Sequence, residues 1–152
     1  MAFHEPASKV AIYALLIAAC RKNKWNTVNF EIVAAYLPLF IFCGFIFIQS
    51  SYPSPNTVIT FAFSDKLLHV LAYAVLGILF FRAYGTLPLR NNLSLLIGLS
   101  ILSAGLFGLS DEIHQYFVPA RNTDLWDLIA DIIGSLLGVF LYQAWTFRKE
   151  PD

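Results

Sequence analysis

Polar side chains that can act as acids, bases or hydrogen-bond donors lie at the ends of long apolar runs in this chain. They are Asp65, Lys66, His69, Tyr73, Asp111, Glu112, Gln115, Arg121, Asp127 and Asp131. Carboxylates beside an imidazole can transfer protons or hold a divalent metal, whereas lysine and arginine bind anionic groups. Either chemistry requires a fold that brings the ends of separate apolar segments together.

The first polar group precedes and enters the second apolar run. Asp65, His69 and Tyr73 are spaced four residues apart, so a helix places them on one face. In a catalytic reading, His69 is a general base oriented by Asp65; in a structural reading, Asp65 caps the helix and His69 is a neutral hydrogen-bonded side chain. Lys66 either takes part in the site or extends toward lipid headgroups.

The third run ends in acids. Asp111 and Glu112 lie where the helix dipole disfavours negative charge, by a few tenths to about 1 kcal/mol each, and Gln115 extends the face of Asp111. We therefore expect a cation nearby, from Arg121, Lys66, a protonated histidine, a metal or a substrate. Arg121, in the short linker that follows, either neutralises these acids or clamps a phosphate or carboxylate.

The fourth run begins with a stripe of acids that continues into glycines. Asp124, Asp127 and Asp131 share one helix face with Gly134 and Gly138, whose spacing predicts close packing against a neighbouring helix. Asp131 lies about 10 Å deeper than Asp124, where an unpaired carboxylate costs several kcal/mol. It must therefore be paired, protonated or beside a wet cavity, whereas Asp124 either caps the helix or joins the site.

Composition identifies the elements that position these residues as membrane helices. The chain is 58% hydrophobic and 13% charged, and its mean hydropathy is +0.65. A membrane span needs about 20 apolar residues, and four stretches approach that length: approximately 32–49, 67–84, 93–110 and 125–146. We predict an all-α polytopic membrane helix bundle of four core transmembrane helices, preceded by a short N-terminal apolar helix. No basic block suggests a nucleic-acid partner.

The first 29 residues stand apart from the four spans. Residues 10–20 are apolar but too short to cross a bilayer, so we expect an interfacial or half-inserted helix. A lipidation signal ending at Cys20 is the alternative, although it conflicts with the basic residues that follow. The predicted organisation is an N-terminal segment at 1–29, a transmembrane domain at 30–147 and a cytoplasmic tail at 148–152.

Basic residues predict the orientation. With the first span starting in the cytoplasm, the cytoplasmic flanks hold Arg21, Lys22, Lys24, Arg82, Arg90, Arg148 and Lys149, against Lys66 and Arg121 outside. This bias follows the positive-inside rule. We therefore expect a multi-pass protein of the cell membrane whose polar site faces the extracytoplasmic side and whose C-terminus is cytoplasmic.

The polar motifs resemble those of the VanZ-like membrane family. They are Asp65-Lys66-x-x-His69-x-x-x-Tyr73, Asp111-Glu112-x-x-Gln115, Pro119-Ala120-Arg121 and Asp127-x-x-x-Asp131-x-x-Gly134-x-x-x-Gly138. The resemblance covers roughly residues 30–142, with Ala120 in place of a glycine and Asp131 in place of an asparagine. It implies a small protein of the bacterial envelope, in a family whose namesake is linked to resistance to teicoplanin-type glycopeptides.

Three functions stay open at this stage. In a protein that binds a lipid-linked precursor or a glycopeptide, the ligand-binding residues would be Lys66, Tyr73, Asp111, Gln115, Arg121 and Asp131. In an intramembrane hydrolase or transferase acting on a lipid-linked substrate, the catalytic residues would be His69, Asp65, Glu112 and Asp127. In a purely structural role, the polar groups would fix the helix register. We expect membrane lipids as partners and no cofactor, with a divalent metal at His69 and the acids as the alternative; the oligomeric state is unassigned.

Overall fold

The chain folds into α-helices. The computed structural model describes residues 7–52, 64–119, 121 and 123–148. Within these ranges it contains no strand and has four helices: α1 at Ala7–Ser50, α2 at Ser64–Tyr84, α3 at Leu93–Tyr116 and α4 at Leu125–Phe147, with a short 3-10 helix, Pro88–Asn91, between α2 and α3. The predicted all-α fold is confirmed.

Two compact units make up the chain, Met1–Ala34 and Ala35–Asp152. In the first unit the structure describes the early part of α1, and the apolar segment 10–20 belongs to this helix. The predicted separate short helix is therefore wrong, because no helix-breaking residue separates the segment from the first span. The second unit contains the rest of α1 together with α2, α3 and α4. All the contacts discussed below lie within this second unit.

Four helical segments are long and apolar enough to cross a membrane. They are Asn29–Ser50, Asp65–Tyr84, Leu93–Tyr116 and Leu125–Thr146. The predicted spans coincide with them, except that α3 continues six residues past the predicted end of the third run. Hydropathy falls at Asp111, but the backbone stays helical to Tyr116, and the Gln115 amide donates to Asp111 across this last part of the helix. The chain is a multi-pass membrane protein.

The glycine edge of α4 packs directly against α2. A β-carbon added to Gly134 would lie 2.9 Å from the carbonyl carbon of Val70, and one added to Gly138 would lie 2.7 Å from that of Ala74. Gly77 gives the same close approach from α2, 2.8 Å from a backbone oxygen of α4. A side chain at these positions would force the two backbones apart. The predicted small-residue interface is confirmed, with α2 as the partner.

The bundle is apolar both inside and outside. Its buried cluster consists of Leu39, Ile46, Tyr73, Leu76, Leu79, Ala83 and Ala104. Large hydrophobic side chains are also exposed on every helix, among them Phe40, Leu71, Leu106 and Leu141. Such a surface would be unfavourable in water. In a membrane it contacts lipid acyl chains, which are as apolar as the side chains themselves.

Candidate functional site

The predicted polar residues meet at one end of the bundle. Because consecutive helices run in opposite directions, α1 and α3 end where α2 and α4 begin. We call this region, residues 49–52, 64–73, 108–116, 121 and 123–131, the carboxylate end. Within the described ranges, every ion pair involves Lys66 or His69, and all of these pairs lie here.

Lys66 forms ion pairs with three acids at the carboxylate end. Its ammonium donates to Asp124 Oδ2 at 2.8 Å and to Asp127 Oδ1, and it lies 3.7 Å from Asp65 Oδ2. Asp127 is buried, whereas Asp65 is exposed. The lysine therefore neutralises acids of its own helix and of α4, rather than extending freely to lipid headgroups.

His69 is oriented by a buried acid of α4. Its Nδ1 lies 2.9 Å from Oδ1 of Asp131, which has no exposed surface. The expected orienting acid was Asp65, on the same face of α2. The structure assigns this contact to Asp131 because the close glycine packing of α4 on α2 brings Asp131 next to the imidazole. With Nδ1 donating to a carboxylate, Nε2 presents a lone pair.

Three polar atoms of the carboxylate end are buried without a hydrogen-bond partner in the described part of the chain. They are the Tyr73 hydroxyl, Glu112 Oε1 and Asp131 Oδ2. Gly108 makes room for two of these groups, since a β-carbon there would lie 2.7 Å from Asp131 Oδ2 and 3.1 Å from the Tyr73 ring. We call these three atoms the deep trio. They come from α2, α3 and α4, and an unpaired buried polar group costs about 1–3 kcal/mol.

The acids of α3 are held by neutral donors. The Gln115 amide donates to Asp111 Oδ2 at 2.9 Å and approaches Ser50 Oγ at 3.5 Å. The backbone N–H of Asp124 donates to Glu112 Oε2 at 3.2 Å. Within the described ranges neither acid has the ion-pair partner that we expected from the helix dipole, so an amide and a peptide N–H take its place.

Arg121 has a role that the sequence did not indicate. Its Nε donates to the carbonyl oxygen of Tyr52 at 3.0 Å, and its Nη2 donates to that of Gln49 at 2.9 Å. Gln49 lies in the last turn of α1 and Tyr52 two residues beyond its end, where a cation is favoured by the helix dipole. Arg121 therefore ties the linker before α4 to the end of α1.

Asp124 links the two outer networks. Its Oδ1 accepts from the N–H of Trp126 at 3.0 Å and caps α4, while its Oδ2 accepts from Lys66. The Lys66 ammonium, helped by the Trp126 N–H, holds the pKa of the Asp124 carboxyl below its ordinary value. Both predicted roles are thus combined, because Asp124 caps the helix and also belongs to the polar cluster.

His114 lies beside the cluster but is held by other partners. Its Nε2 is 3.0 Å from Ser51 Oγ, and its ring centroid is 4.5 Å from that of Phe47. These contacts hold His114 against the end of α1.

Three residues at the carboxylate end have the ligand types of a metal site. Asp65, His69 and Asp127 each offer one ligand atom, and these three atoms lie within 4.8 Å of one another. Asp65 and His69 come from one face of α2, and Asp127 comes from the first turn of α4. We call these residues the rim triad.

Sequence reasoning therefore identified most of the cluster but missed several of its contacts. The contribution of Ser50 was not foreseen, nor was the binding of Arg121 by carbonyl oxygens at the end of α1. A serine that ends the first apolar run, at the same end of the bundle as the acids and the amide that close the third run, would have been the available signal for Ser50. Carbonyl acceptors carry no sequence signal, since every residue has one.

Comparison with known proteins agrees with the motifs. A family model described as VanZ/LLP1 matches residues 8–147, nearly the whole chain. An uncharacterized protein of Schizosaccharomyces pombe (strain 972) is 26% identical over 120 residues, which cover 78% of this chain and 67% of the yeast protein. No solved structure gives a significant match. The family resemblance of the polar motifs is therefore confirmed.

Proposed function

The chain belongs to the VanZ/LLP1 family, and we propose that it binds the hydroxyl-bearing headgroup of an amphiphilic ligand at its carboxylate end. Glycolipids, lipid-linked envelope precursors and lipoglycopeptides share this chemistry. The headgroup would enter from the membrane surface and reach the deep trio, while the apolar tail would lie against the exposed hydrophobic faces of the helices.

The single observation that supports this proposal most strongly is the deep trio. Tyr73 is 1% exposed, Glu112 is 8% exposed and Asp131 has no exposed surface, yet each leaves one polar atom unpaired. A helix bundle that evolved only to be stable would fill these positions with apolar side chains or pair them internally. A ligand that donates to these atoms would recover the desolvation cost.

The charge distribution favours hydroxyl donors over an anionic headgroup. Lys66 and Arg121, which the sequence offered as anion-binding groups, are already bound by carboxylates and carbonyls. The free positions of the deep trio are carboxylate oxygens and a phenol. Carboxylates accept hydrogen bonds from hydroxyl groups strongly, whereas they repel phosphate.

The family connection limits the choice of ligand. Because a relative occurs in fission yeast, which has no bacterial wall, we choose a glycolipid over a precursor of the bacterial wall as the first probe. The VanZ-like motifs also suggested glycopeptide binding and teicoplanin resistance. The binding experiment below therefore includes teicoplanin as an alternative ligand. In keeping with the positive-inside bias, we place the carboxylate end on the extracytoplasmic side of the cell membrane.

The His69–Asp131 contact favours a second candidate, an intramembrane hydrolase or transferase. An imidazole whose Nδ1 donates to a buried carboxylate can accept a proton at Nε2 from water or from a substrate hydroxyl. Asp127 and Glu112 lie close enough to His69 to interact with it electrostatically and would supply the acid. Replacement of His69 by alanine would then abolish turnover of a glycolipid while leaving its binding intact.

Native mass spectrometry can test the binding proposal. The protein is purified in a sugar-free amine-oxide detergent and mixed with glucosyl diacylglycerol, diacylglycerol or teicoplanin. The spectrometer then removes the detergent and measures how much of each probe stays bound. We expect saturable binding of one glucosyl diacylglycerol per chain and at least 10-fold weaker binding of diacylglycerol, because only the glucosyl lipid donates to the deep trio. Preference for teicoplanin would instead support the glycopeptide arm.

Isosteric variants show whether the deep trio makes the contact. Glu112→Gln and Asp131→Asn should each weaken glucosyl diacylglycerol binding about 10-fold, as expected when a charged acceptor becomes neutral. His114→Ala, at the same end of the bundle but bound to Ser51, should bind as the wild type does. Equal affinity in all four proteins would refute the proposal, provided that their melting temperatures agree within a few degrees.

A further inference from the structure

The rim triad carries an inference beyond headgroup binding. We propose that Asp65, His69 and Asp127 bind a first-row divalent cation of the zinc or manganese type. Their three ligand atoms lie within 4.8 Å of one another. Ligands at about 2.0–2.2 Å from a tetrahedral zinc ion are separated by about 3.5 Å, so rotations that move these side chains by about 1 Å complete the site.

Helix packing fixes the relative positions of these ligands. Asp65 and His69 are one turn apart on α2, and the glycine edge of α4 holds Asp127 against the same face. Because backbone contacts at Gly134 hold the two helices together, only side-chain rotations are needed to bring the ligand atoms to the ion. A preorganised set of three ligands loses little conformational entropy on binding.

Asp131 prepares His69 for this role. His69 Nδ1 lies 2.9 Å from Asp131 Oδ1, and when Nδ1 donates to this carboxylate the neutral imidazole has its lone pair on Nε2. A carboxylate behind a histidine is the usual support of a metal-binding imidazole. One nitrogen and two carboxylate oxygens favour zinc or manganese over calcium or magnesium, which prefer oxygen alone.

A buried acid outside the triad independently indicates a missing positive charge. Glu112 is 8% exposed, its Oε1 has no partner in the described part of the chain, and its carboxyl interacts electrostatically with Asp127, His69 and Asp131. Lys66 alone cannot balance these acids, because it already binds Asp124 and Asp127. A divalent ion at the rim would supply the charge that buried carboxylates require.

Lys66 makes a distinctive prediction possible. Its ammonium contacts Asp127 and lies 3.7 Å from Asp65, so it competes with a metal ion for two of the three ligands. Removal of the ammonium by Lys66→Met should therefore strengthen metal binding, by about 10-fold. A merely structural lysine would not produce such an increase.

Cobalt and zinc binding to the purified protein tests the site without any lipid. After treatment with a chelator, we expect one Co²⁺ per chain with visible ligand-field absorption. His69→Ala and Asp127→Asn should each reduce the affinity at least 10-fold, and Asp131→Asn about 10-fold. His114→Ala, a matched histidine outside the triad, should titrate as the wild type does. Absence of saturable uptake, or unchanged binding by His69→Ala, would overturn the proposal.

Nitrogen NMR of the wild-type protein gives a readout that does not depend on the folding of a variant. Addition of Zn²⁺ should shift the Nε2 resonance of His69 and leave that of His114 in place. If neither moves, or if only His114 responds, the rim triad is not a metal site. Because the metal is added alone, a negative result leaves the headgroup proposal standing.

Discussion

At the scale of a single residue, a substitution of Tyr73 should affect protein stability and ligand binding differently. Its hydroxyl is buried without a partner in the described part of the chain, and its ring packs in the core of the bundle. Tyr73→Phe keeps the ring and removes the unpaired group. We expect the ligand-free protein to be as stable as the wild type or more stable by up to about 2 kcal/mol, while glucosyl diacylglycerol binds about 10-fold more weakly.

Thermal unfolding in an amine-oxide detergent and native mass spectrometry measure these two effects separately. A variant that loses stability but binds the lipid normally would identify the hydroxyl as a structural hydrogen-bond donor. That outcome would remove Tyr73 from the deep trio.

The pairing of Asp124 with Lys66 should make the stability of the protein depend on pH. Its pKa is lower in the folded protein than in the unfolded chain, so its pairing with Lys66 contributes fully above the unfolded pKa and is lost as the pH falls through the folded value. Asp124→Asn retains the helix cap and removes the charge. The difference in melting temperature between the two proteins should be constant above about pH 5 and should vanish in more acidic solution.

The matched control for this prediction is the same pair of proteins in a Lys66→Met background. Without the ammonium, the difference between Asp124 and its asparagine variant should be small at every pH. If the difference persists in that background, the stabilisation does not come from Lys66.

Residue types at this scale could be predicted from the sequence, but their partners could not. The i, i+4 stripe of α2 and the acids of α3 and α4 indicated a polar cluster, because apolar runs make such residues conspicuous. The choice of Asp131 over Asp65 as the partner of His69 depends on how closely two helices approach. That distance is set by tertiary packing, which local spacing does not encode.

At the scale of the helices, the α2–α4 interface positions the rim triad and two members of the deep trio, Tyr73 and Asp131. Gly138→Ala would place a methyl group against the backbone of Ala74, where no flexible side chain can yield. We expect a loss of about 1–3 kcal/mol of unfolding free energy. Gly98→Ala is the matched control, because nothing lies within 4 Å of its β-carbon, and it should be neutral or stabilising by up to about 1 kcal/mol.

Unfolding of the detergent-solubilised variants checks this prediction. If both substitutions have the same effect, the glycine edge is not the contact that holds α4 to α2.

The helices themselves were predictable because hydropathy and span length define them. The neighbours of each helix were not, since a small-residue stripe indicates close packing without naming the partner.

At the scale of the whole molecule, the proposed orientation places the carboxylate end outside the cell. A protein without Cys20 and Cys43 can carry one new cysteine at Thr123, at the carboxylate end, or at Asn91, between α2 and α3; both positions are exposed. A membrane-impermeant maleimide should label Thr123→Cys in intact cells and Asn91→Cys only after permeabilisation. The opposite pattern would invert the orientation derived from the basic residues.

The central claim is that buried polar atoms of three helices receive the headgroup of an amphiphile. An experimental structure of the protein in nanodiscs containing glucosyl diacylglycerol tests it most directly. We predict sugar oxygens at hydrogen-bond distance, about 2.7–3.0 Å, from Glu112 and Asp131. A sugar confined to the lipid-facing perimeter, with these carboxylates paired only to protein groups, would contradict the account.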